Sequence, residues 1–339
     1  MAKLRAFNIA ASRRRVIKNA AVFIAGIAAP AILRSGPALA AYPDRPVRLV
    51  VPNSPGGISD IVARLLVVSL QQTMGGSFSI ENKGGAGGNI GMGSVARSEP
   101  DGYTLLITTS AFAVNPGLYN SLPFDPFKDF VAIAELTTSP NVFAVKPELG
   151  IKTMKELVAL AKAKPDKFNI STPPVSTTPY LAAELFKLRE GLPKVATVVF
   201  AGGGEALRAL LTGNVQLSLG ALGTAHSHIG AGTITALATT GTTRWHDLPS
   251  VPTMAEAGFS DFVMENYVGL MAPANTPPDV VARLEKETLA ILNTPHVRAK
   301  LVQSGFQVEA KSGKDHMARV AKEVPMYSRI VTQAAIKKL

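Results

Sequence analysis

The sequence predicts an α/β protein of two lobes, each built on a mixed, mostly parallel sheet, with a ligand cleft between them. Short apolar runs alternate with segments whose apolar residues recur at helical spacing, a pattern typical of parallel sheets covered by helices. The chain has 339 residues, and a single core stops growing at about 250–300 residues. It has no cysteine, so burial and not disulfide bonding must stabilise the fold.

Residues 1–40 are a predicted twin-arginine-type signal peptide. Ser12-Arg13-Arg14-Arg15 precedes an apolar stretch and the small-residue sequence Ala38-Leu39-Ala40, an arrangement typical of cleaved export signals. The alternative, an uncleaved membrane anchor, would need roughly 20 apolar residues, and this stretch is shorter. We therefore expect cleavage near Ala40 and a periplasmic location.

The remaining chain shows no sign of nucleic-acid binding, metal binding or catalysis. Residues 1–40 carry seven basic and no acidic side chains, so their removal lowers the formal charge from +11 to +4. No run of Lys or Arg follows, which argues against nucleic acid. His226 and His228 point to different faces of a helix, and no nucleophile elbow, metalloprotease motif or phosphate loop is present. We predict no catalytic residue, no metal and no cofactor.

The predicted first lobe comprises residues 41–143 and 267–339. A buried strand at 47–51 precedes a helix whose apolar residues run from Ile58 to Leu70. Two further strand–helix pairs follow, at 78–80 with 90–96 and at 103–107 with a helical turn towards Tyr119. After residue 266 the sequence predicts a strand, a capped helix, and helices at 297–304 and 315–335.

The predicted second lobe comprises residues 144–266, and its strand–helix series starts after a short apolar run at 142–145. A capping box from Thr153 to Glu156 starts its first helix. A strand at 168–171 and a helix at 180–188 follow, with Thr178 as the predicted N-cap. A strand at 195–200, a helix at 207–212, and strands at 215–219 and 234–238 continue the alternation.

Three loops, at 53–60, 171–178 and 201–205, share one design, because each follows a strand and leads into a helix. Such loops surround the ligand in open α/β sheets. Their small residues allow close approach of the backbone, and helix N-termini favour negative charge. They contain no Arg or Lys, so we expect N–H and hydroxyl groups to hold a carboxylate. For any single loop, ordinary turn chemistry is the alternative.

The predicted ligand-binding residues lie in these loops, except for Ser110, which follows the third strand. They are Asn53, Ser54, Pro55, Gly56, Gly57, Asp60, Ser110, Thr172, Thr177, Thr178, Gly202 and Gly203. Asp60 has two interpretations: it accepts a hydrogen bond from the ligand, or it complements the helix dipole in the first turn. Under the first, Asp60→Ala weakens binding and leaves the stability of the empty protein intact.

The segment "GGAGGNIG" at 84–91 resembles a dinucleotide-binding loop, but the third glycine falls at position 91 and not at 90. The G-x-G-x-x-G spacing therefore fails, and a tight turn is the preferred interpretation.

Ordered blocks along the chain resemble the Bug family, the periplasmic solute receptors of tripartite tricarboxylate transporters. They are "YPDRPVRLVVPNSPGGISDIVAR", "IENKGGAGGNIGMGSVARSEPDGYTLL", "LPFDPFKDF", "TGNVQLSLG", "LPSVPTMAEAGF" and "VGLMAPANTPPDVVARL". The resemblance implies a two-lobed, type II-like periplasmic binding protein that closes on a carboxylate-bearing solute and delivers it to a two-subunit membrane transporter. We expect the receptor to be a monomer. In this family the loops matching 53–60 and 171–178 grip the ligand carboxylate.

The chain departs from the family pattern in its third contact region. Phe200 and Ala201 stand where Tyr and Lys are usual, although Gly202 and Gly203 match. Phe112, Tyr180 and Phe200 either line the cleft, which would suit an aromatic acid beside di- and tricarboxylates, or belong to the core. Two other functions remain open, an exported α/β enzyme and a receptor that signals to a membrane kinase.

Overall fold

A computed structural model of the protein describes residues 42–53 and 55–339. The predicted signal peptide and Ser54 lie outside these residues. Within them, ten strands, β1 to β10, belong to one hydrogen-bonded network. In chain order they are Val47–Val51, Phe78–Asn82, Thr104–Thr109, Phe130–Val145, Asn169–Thr172, Ala196–Val199, Leu217–Ala221, Thr235–Thr239, Glu265–Pro273 and Gln307–Ser312.

Ten α-helices, α1 to α10, accompany these strands in the described part of the chain. They are Ile58–Met74, Asn89–Ala96, Ala111–Leu118, Met154–Ala163, Thr178–Glu190, Gly203–Leu211, Leu222–Gly230, Pro278–Leu292, Pro295–Gln303 and Gly313–Gln333. None of them is long and apolar enough to cross a membrane.

The network has two halves, which are the sheets of the two lobes. The first sheet has the order β2-β1-β3-β9-β4 with β10 also on β4, and the second has the order β4-β7-β5-β6 with β8 also on β4. Pairs among β1, β2 and β3 and among β5, β6 and β7 are parallel. The remaining pairs of this network are antiparallel and all involve β4 or β9. The fold is thus the α/β, two-lobed type with mixed sheets that the sequence predicts. The sheets are not mostly parallel, because β4 and β9 are antiparallel to all their neighbours, which gives five antiparallel pairs beside four parallel ones.

Strand β4 is shared by both lobes. Its residues from Phe130 to Pro140 pair with β9 in the first sheet, whereas Asn141 to Val145 pair with β7 in the second. The apolar pattern of the sequence predicts only the last four residues of this strand, and it does not predict β10. Pro140 and the polar residues Thr137 to Ser139 interrupt the apolar pattern from which a buried strand is predicted, although all of them are buried.

Helices cover both sheets on both faces. Leu66 of α1, Leu284 of α8 and Leu301 of α9 pack on one face of the first sheet, and Met92 of α2 packs on the other. In the second lobe, α4 and α5 contribute to one core and α6 and α7 to another. Helix α10 contributes to two of these cores, because Val320 belongs to a first-lobe core and Tyr327 to a second-lobe core.

A charged cluster fastens α10 to the two central strands. Arg319 donates to Glu135 on β4 at 2.7 Å, to Glu265 on β9 at 3.0 Å and to Glu323 at 2.8 Å. Burial raises the pKa of Glu135, but hydrogen bonding from His316 and the charge of Arg319 outweigh it, so the pKa lies below its ordinary value. Glu135 is therefore ionised inside the protein, where its partners compensate the loss of water.

Buried amides join the strands where the chain passes between the lobes. Asn266 donates through Nδ2 to Asn141 Oδ1 at 2.6 Å, and Asn141 donates to the carbonyl of Met264 at 2.8 Å. Thr178 donates to Asn266 Oδ1 at 2.9 Å. The predicted lobe boundaries at 143/144 and 266/267 stay a prediction, because β4 and α10 serve both halves and residues 42–339 form one compact unit.

Candidate ligand-binding cleft

A cleft of about 750 Å³ lies between the two sheets, at the carboxyl ends of their parallel strands. The first lobe lines it with the segments that follow β1, β2 and β3, and the second lobe with those that follow β5, β6 and β7. Strand order places these segments there, because parallel strands end at the same edge of a sheet. The volume lies within the range of small-molecule sites.

Six helices begin at the cleft wall, three from each lobe. Their N-cap residues are Gly57, Gly88 and Ser110 in the first lobe and Thr177, Gly202 and Ala221 in the second, and all of these line the cleft. At none of these six termini does the N-cap side chain accept a hydrogen bond from the helix. The first N–H groups of each helix therefore lack the partner that a side-chain cap would supply.

The four described helices that begin away from the cleft are of two kinds. Thr153 and Ser312 each form a capping box at the start of α4 and α10, whereas α8 and α9 have no side-chain cap. Neither residue lines the cleft. Helix termini with open N–H groups thus face the cleft from both lobes, and together with the helix dipoles they favour an anion there.

The cleft wall carries no ionised side chain among its described residues. It consists of glycine, proline, hydroxyl, amide and apolar side chains, with Tyr119 as the titratable group. Burial raises the pKa of Tyr119, so it is a neutral hydroxyl at physiological pH. An anion in this cleft would therefore be bound by N–H and O–H donors and not by an ion pair.

The loop at 53–60, which we call the first elbow, is held in shape by internal hydrogen bonds. Asn53 donates through Nδ2 to Ser59 Oγ at 2.9 Å, and Asn82, at the end of β2, donates to the carbonyl of Asn53 at 3.2 Å. Gly56 has a φ of 82°, a conformation that glycine adopts without strain. Asn53, Pro55, Gly56 and Gly57 all line the cleft, as predicted for a ligand-contacting loop.

Asp60 is buried beneath this elbow, and its carboxylate already accepts hydrogen bonds from the protein. It accepts hydrogen bonds from Gly56 N at 2.9 Å, from Arg64 Nε at 2.8 Å and from Asn82 Nδ2 at 3.0 Å. Burial raises the pKa of Asp60, but the hydrogen bonds from Arg64, Gly56 and Asn82 outweigh it and hold the pKa below its ordinary value. Asp60 does not line the cleft. Direct contact with a ligand stays a prediction, and these contacts favour a role in positioning the loop.

The second-lobe loops contribute Thr177, Gly202 and Gly203 to the wall, and the first lobe adds Ser110. Thr177 donates to the carbonyl of Pro174 at 2.7 Å, which closes the turn before α5. Thr172 and Thr178 are fully buried and do not reach the cleft. The prediction that Thr178 is the N-cap of α5 is wrong by one residue, because Thr177 occupies that position and the Thr178 hydroxyl bonds Asn266 instead.

The structure also places in the wall several residues that the sequence pattern does not assign to it. Glycines of the 84–91 segment line the cleft, and so do Ala221 at the end of β7 and Gly223 and Thr224 at the start of α7. For the glycines the signal was present in the sequence, since they lie between a predicted strand and the next predicted helix. The second group follows a predicted strand, but the sequence pattern predicts no helix there. Asn266, Ser304 and Phe306 also line the cleft, but they come from segments that carry no such signal.

The aromatic residues named from the sequence do not line the cleft. Phe112 is fully buried and packs against Phe124 and Phe130 in the first-lobe core. Tyr180 and Phe200 pack against second-lobe cores. Tyr119 and Phe306 are the aromatic side chains in the described wall.

Comparisons with known proteins agree with this geometry. A family model described as "Tripartite tricarboxylate transporter family receptor" matches residues 62–336. Protein BugT of Bordetella pertussis is 31% identical over 327 residues, which cover 95% of this chain and 98% of that protein. The structure of periplasmic binding protein BugD is 31% identical, has a TM-score of 0.79, and covers 88% of this chain and 100% of its own. The structure of R. palustris Rpa4515 with adipate is 31% identical, with a TM-score of 0.81 and the same coverage.

Proposed function

Because the chain belongs to the tripartite tricarboxylate transporter receptor family, we propose that it is an extracytoplasmic receptor that captures a small molecule bearing a carboxylate and delivers it to a membrane transporter. Family membership confirms the resemblance predicted from the sequence blocks. It also confirms the prediction of a solute receptor and not an enzyme.

The observation that carries the carboxylate proposal is the set of six helix N-termini around a cleft whose described wall holds no ionised side chain. Open N–H groups favour an anion, and each hydrogen bond to a charged group contributes about 1.5–3 kcal/mol. The relative Rpa4515 was solved with adipate, a dicarboxylate. Three N-termini on each lobe suit a ligand with a polar group at each end.

Within this proposal, the first elbow and the second-lobe loops hold the ligand from opposite sides. The main-chain N–H of Gly57, with Ser110, would bind one end, while the Gly56 N–H stays on Asp60. Gly202 and Gly203 would bind the other, and Thr177 would join them by exchanging its hydroxyl bond to the Pro174 carbonyl for one to the ligand. The loss of the usual Lys at Ala201 leaves the second end without a cation, so neutral donors must serve there.

The cellular setting is part of the proposal. We infer export by the predicted twin-arginine signal, cleavage near Ala40, a periplasmic location and action as a monomer. The partner is then a two-subunit membrane transporter of the tripartite type. A receptor that signals to a kinase would use the same cleft, and the binding partner would distinguish the two.

A ligand screen tests the proposal directly. Residues 41–339 are purified, unfolded and refolded to remove carried ligand, and thermal shifts are recorded with adipate, other aliphatic di- and tricarboxylates, benzoate and neutral amides. A ligand at 100 times its dissociation constant stabilises the folded state by about 2.7 kcal/mol. Shifts with acids and none with the matching amides would support carboxylate capture. Shifts with the amides alone, or with no compound, would overturn it.

A further inference from the structure

The two lobes touch across the cleft at two points where glycine supplies the contact. The first is between α7 of the second lobe and the loop that joins α9 to β10 in the first. A Cβ added to Gly223 would lie 2.8 Å from the carbonyl oxygen of Ser304, and one added to Gly305 would overlap the Cα of Gly223. Ser139, on β4, donates to the Gly305 carbonyl at 3.0 Å and fixes this loop to the strand that both lobes share. The approach is therefore between two backbones, and no side-chain rotation can relieve an added atom.

The second contact lies in the glycine-rich segment at 84–91, for which the sequence predicts a turn. Gly87 has a φ of 64°, and a Cβ there would lie 2.9 Å from Ser176 Cβ and 2.8 Å from the Tyr119 hydroxyl. Ser176 belongs to the second-lobe loop before α5 and is buried. Asn115 Nδ2 donates to the Gly87 carbonyl at 3.0 Å and holds the segment in place. Gly87, Ser176, Gly223 and Ser304 all line the cleft.

We propose that these two contacts set the closed position of the lobes, with Gly87 and Gly223 as positioning residues for ligand capture. This inference rests on the proposed function. Atoms of one lobe already meet backbone or Cβ atoms of the other at both points, so further approach is blocked. An added methyl group separates the lobes, which moves the N-termini of α5, α6 and α7 away from those of α1, α2 and α3. A ligand held from both sides then loses hydrogen bonds to one of them.

Each variant has a matched control in the same chain. Gly223→Ala pairs with Gly230→Ala, because both residues lie in α7 and Gly230 has no atom near an added Cβ. Alanine favours a helix more than glycine does, so an effect of Gly223→Ala cannot come from a weakened helix. Gly87→Ala pairs with Gly191→Ala, because Gly191 has a φ of 65° and open space around it. Alanine at either position has a positive φ and therefore similar backbone strain. A difference between the two variants in label distance or in affinity for adipate therefore reports the contact at Gly87.

The lobe separation can be measured with a pair of spin labels, whichever acid is the natural ligand. The chain has no cysteine, so Val68→Cys on α1 and Leu188→Cys on α5, both exposed, allow two spin labels and no others. Pulsed electron paramagnetic resonance gives the distance distribution with and without adipate. Isothermal titration calorimetry gives the affinity for adipate, and the melting temperature of each empty variant shows whether it folds.

In these distributions the shorter distance between the two labels is taken to report the closed position of the lobes. We expect both contact variants to fold like their controls and to lose this shorter distance. They should also bind adipate at least about tenfold more weakly than the controls. Distributions and affinities equal to the controls would overturn the inference. A wild type with no shorter distance under any condition would overturn it as well. Should the wild type populate the shorter distance yet fail to bind any acid, the closure contacts stand and the carboxylate proposal fails.

Discussion

Asp60→Ala should destabilise the empty protein, because the structure places this carboxylate under the first elbow and not in the cleft. The substitution removes the acceptor for Gly56 N and Asn82 Nδ2, which are 2.9 and 3.0 Å away. Hydrogen bonds to charged groups contribute about 1.5–3 kcal/mol each, so we take the lower bound for both and expect a loss of about 3 kcal/mol. The ion pair with Arg64 adds little, because the arginine side chain is 58% exposed.

The assay is calorimetric melting of the empty protein beside a matched control. At about 2 °C per kcal/mol for a chain of this size, Asp60→Ala should lower the melting temperature by about 6 °C. Glu205→Ala is the control, since Glu205 is also an acid in the first turn of a helix beside the cleft but is exposed. It should change stability by less than about 1 kcal/mol.

The pH dependence provides a second test of the same reasoning. The pKa of Asp60 is lower in the folded protein than its ordinary value, so its contribution is present above the unfolded pKa of about 4 and is lost as pH falls through the folded value. The difference between wild type and Asp60→Ala should therefore shrink in acid. A variant that melts like the wild type at neutral pH but binds acids more weakly would refute this reasoning and place the carboxylate on the ligand.

Three further predictions follow from contacts described above. Arg319→Met should destabilise the protein by about 3–5 kcal/mol in urea unfolding, because it leaves Glu135 ionised in a buried site. An unchanged unfolding midpoint would mean that Glu135 becomes neutral at no cost in stability. Asn266→Leu should cost about 1–3 kcal/mol by the same measurement, because Asn141 Oδ1 loses its donor. Adipate should bind at least about tenfold more tightly than 2-aminoadipate in calorimetry, because no described residue of the cleft wall offers a carboxylate to an ammonium group; equal affinities would show that main-chain carbonyls accept it.

Much of the fold follows from periodicity in the sequence. Strand β1 and helix α1 were predictable because apolar residues at helical spacing follow a short apolar run. Most of strand β4 was not, because Thr137, Thr138 and Ser139 are polar yet buried. Glu309 and Gly305, which are distant in sequence, accept hydrogen bonds from Thr138 and Ser139, whereas the Thr137 hydroxyl has no partner among the described residues. Periodicity carries no information about such distant partners.

The candidate site, like the fold, has parts that were predictable from the sequence and parts that were not. The loops after β1 and β6 were predictable, because strand–helix junctions gather at one edge of an α/β sheet. The position of Asp60 in its loop suggests a ligand contact, whereas its partners in the structure include Asn82, which lies on another strand. Phe306 and Asn266 reach the cleft only because β10 and β9 pair with β4. Long-range pairing of this kind is not encoded in any local pattern.

The packing of helix α10 constrains when the protein can fold during its synthesis. Val320 completes a core in the first lobe, and Tyr327, Ile330 and Val331 complete one in the second. Helix α10 follows every other described helix and strand in the chain, so neither lobe has its full apolar interior until α10 has been synthesised. A nascent or truncated chain that ends before Gly313 exposes apolar surface on both lobes at once, and such surface attracts chaperones and promotes aggregation. Completion of both cores therefore depends on α10 and comes after the synthesis of the other described elements.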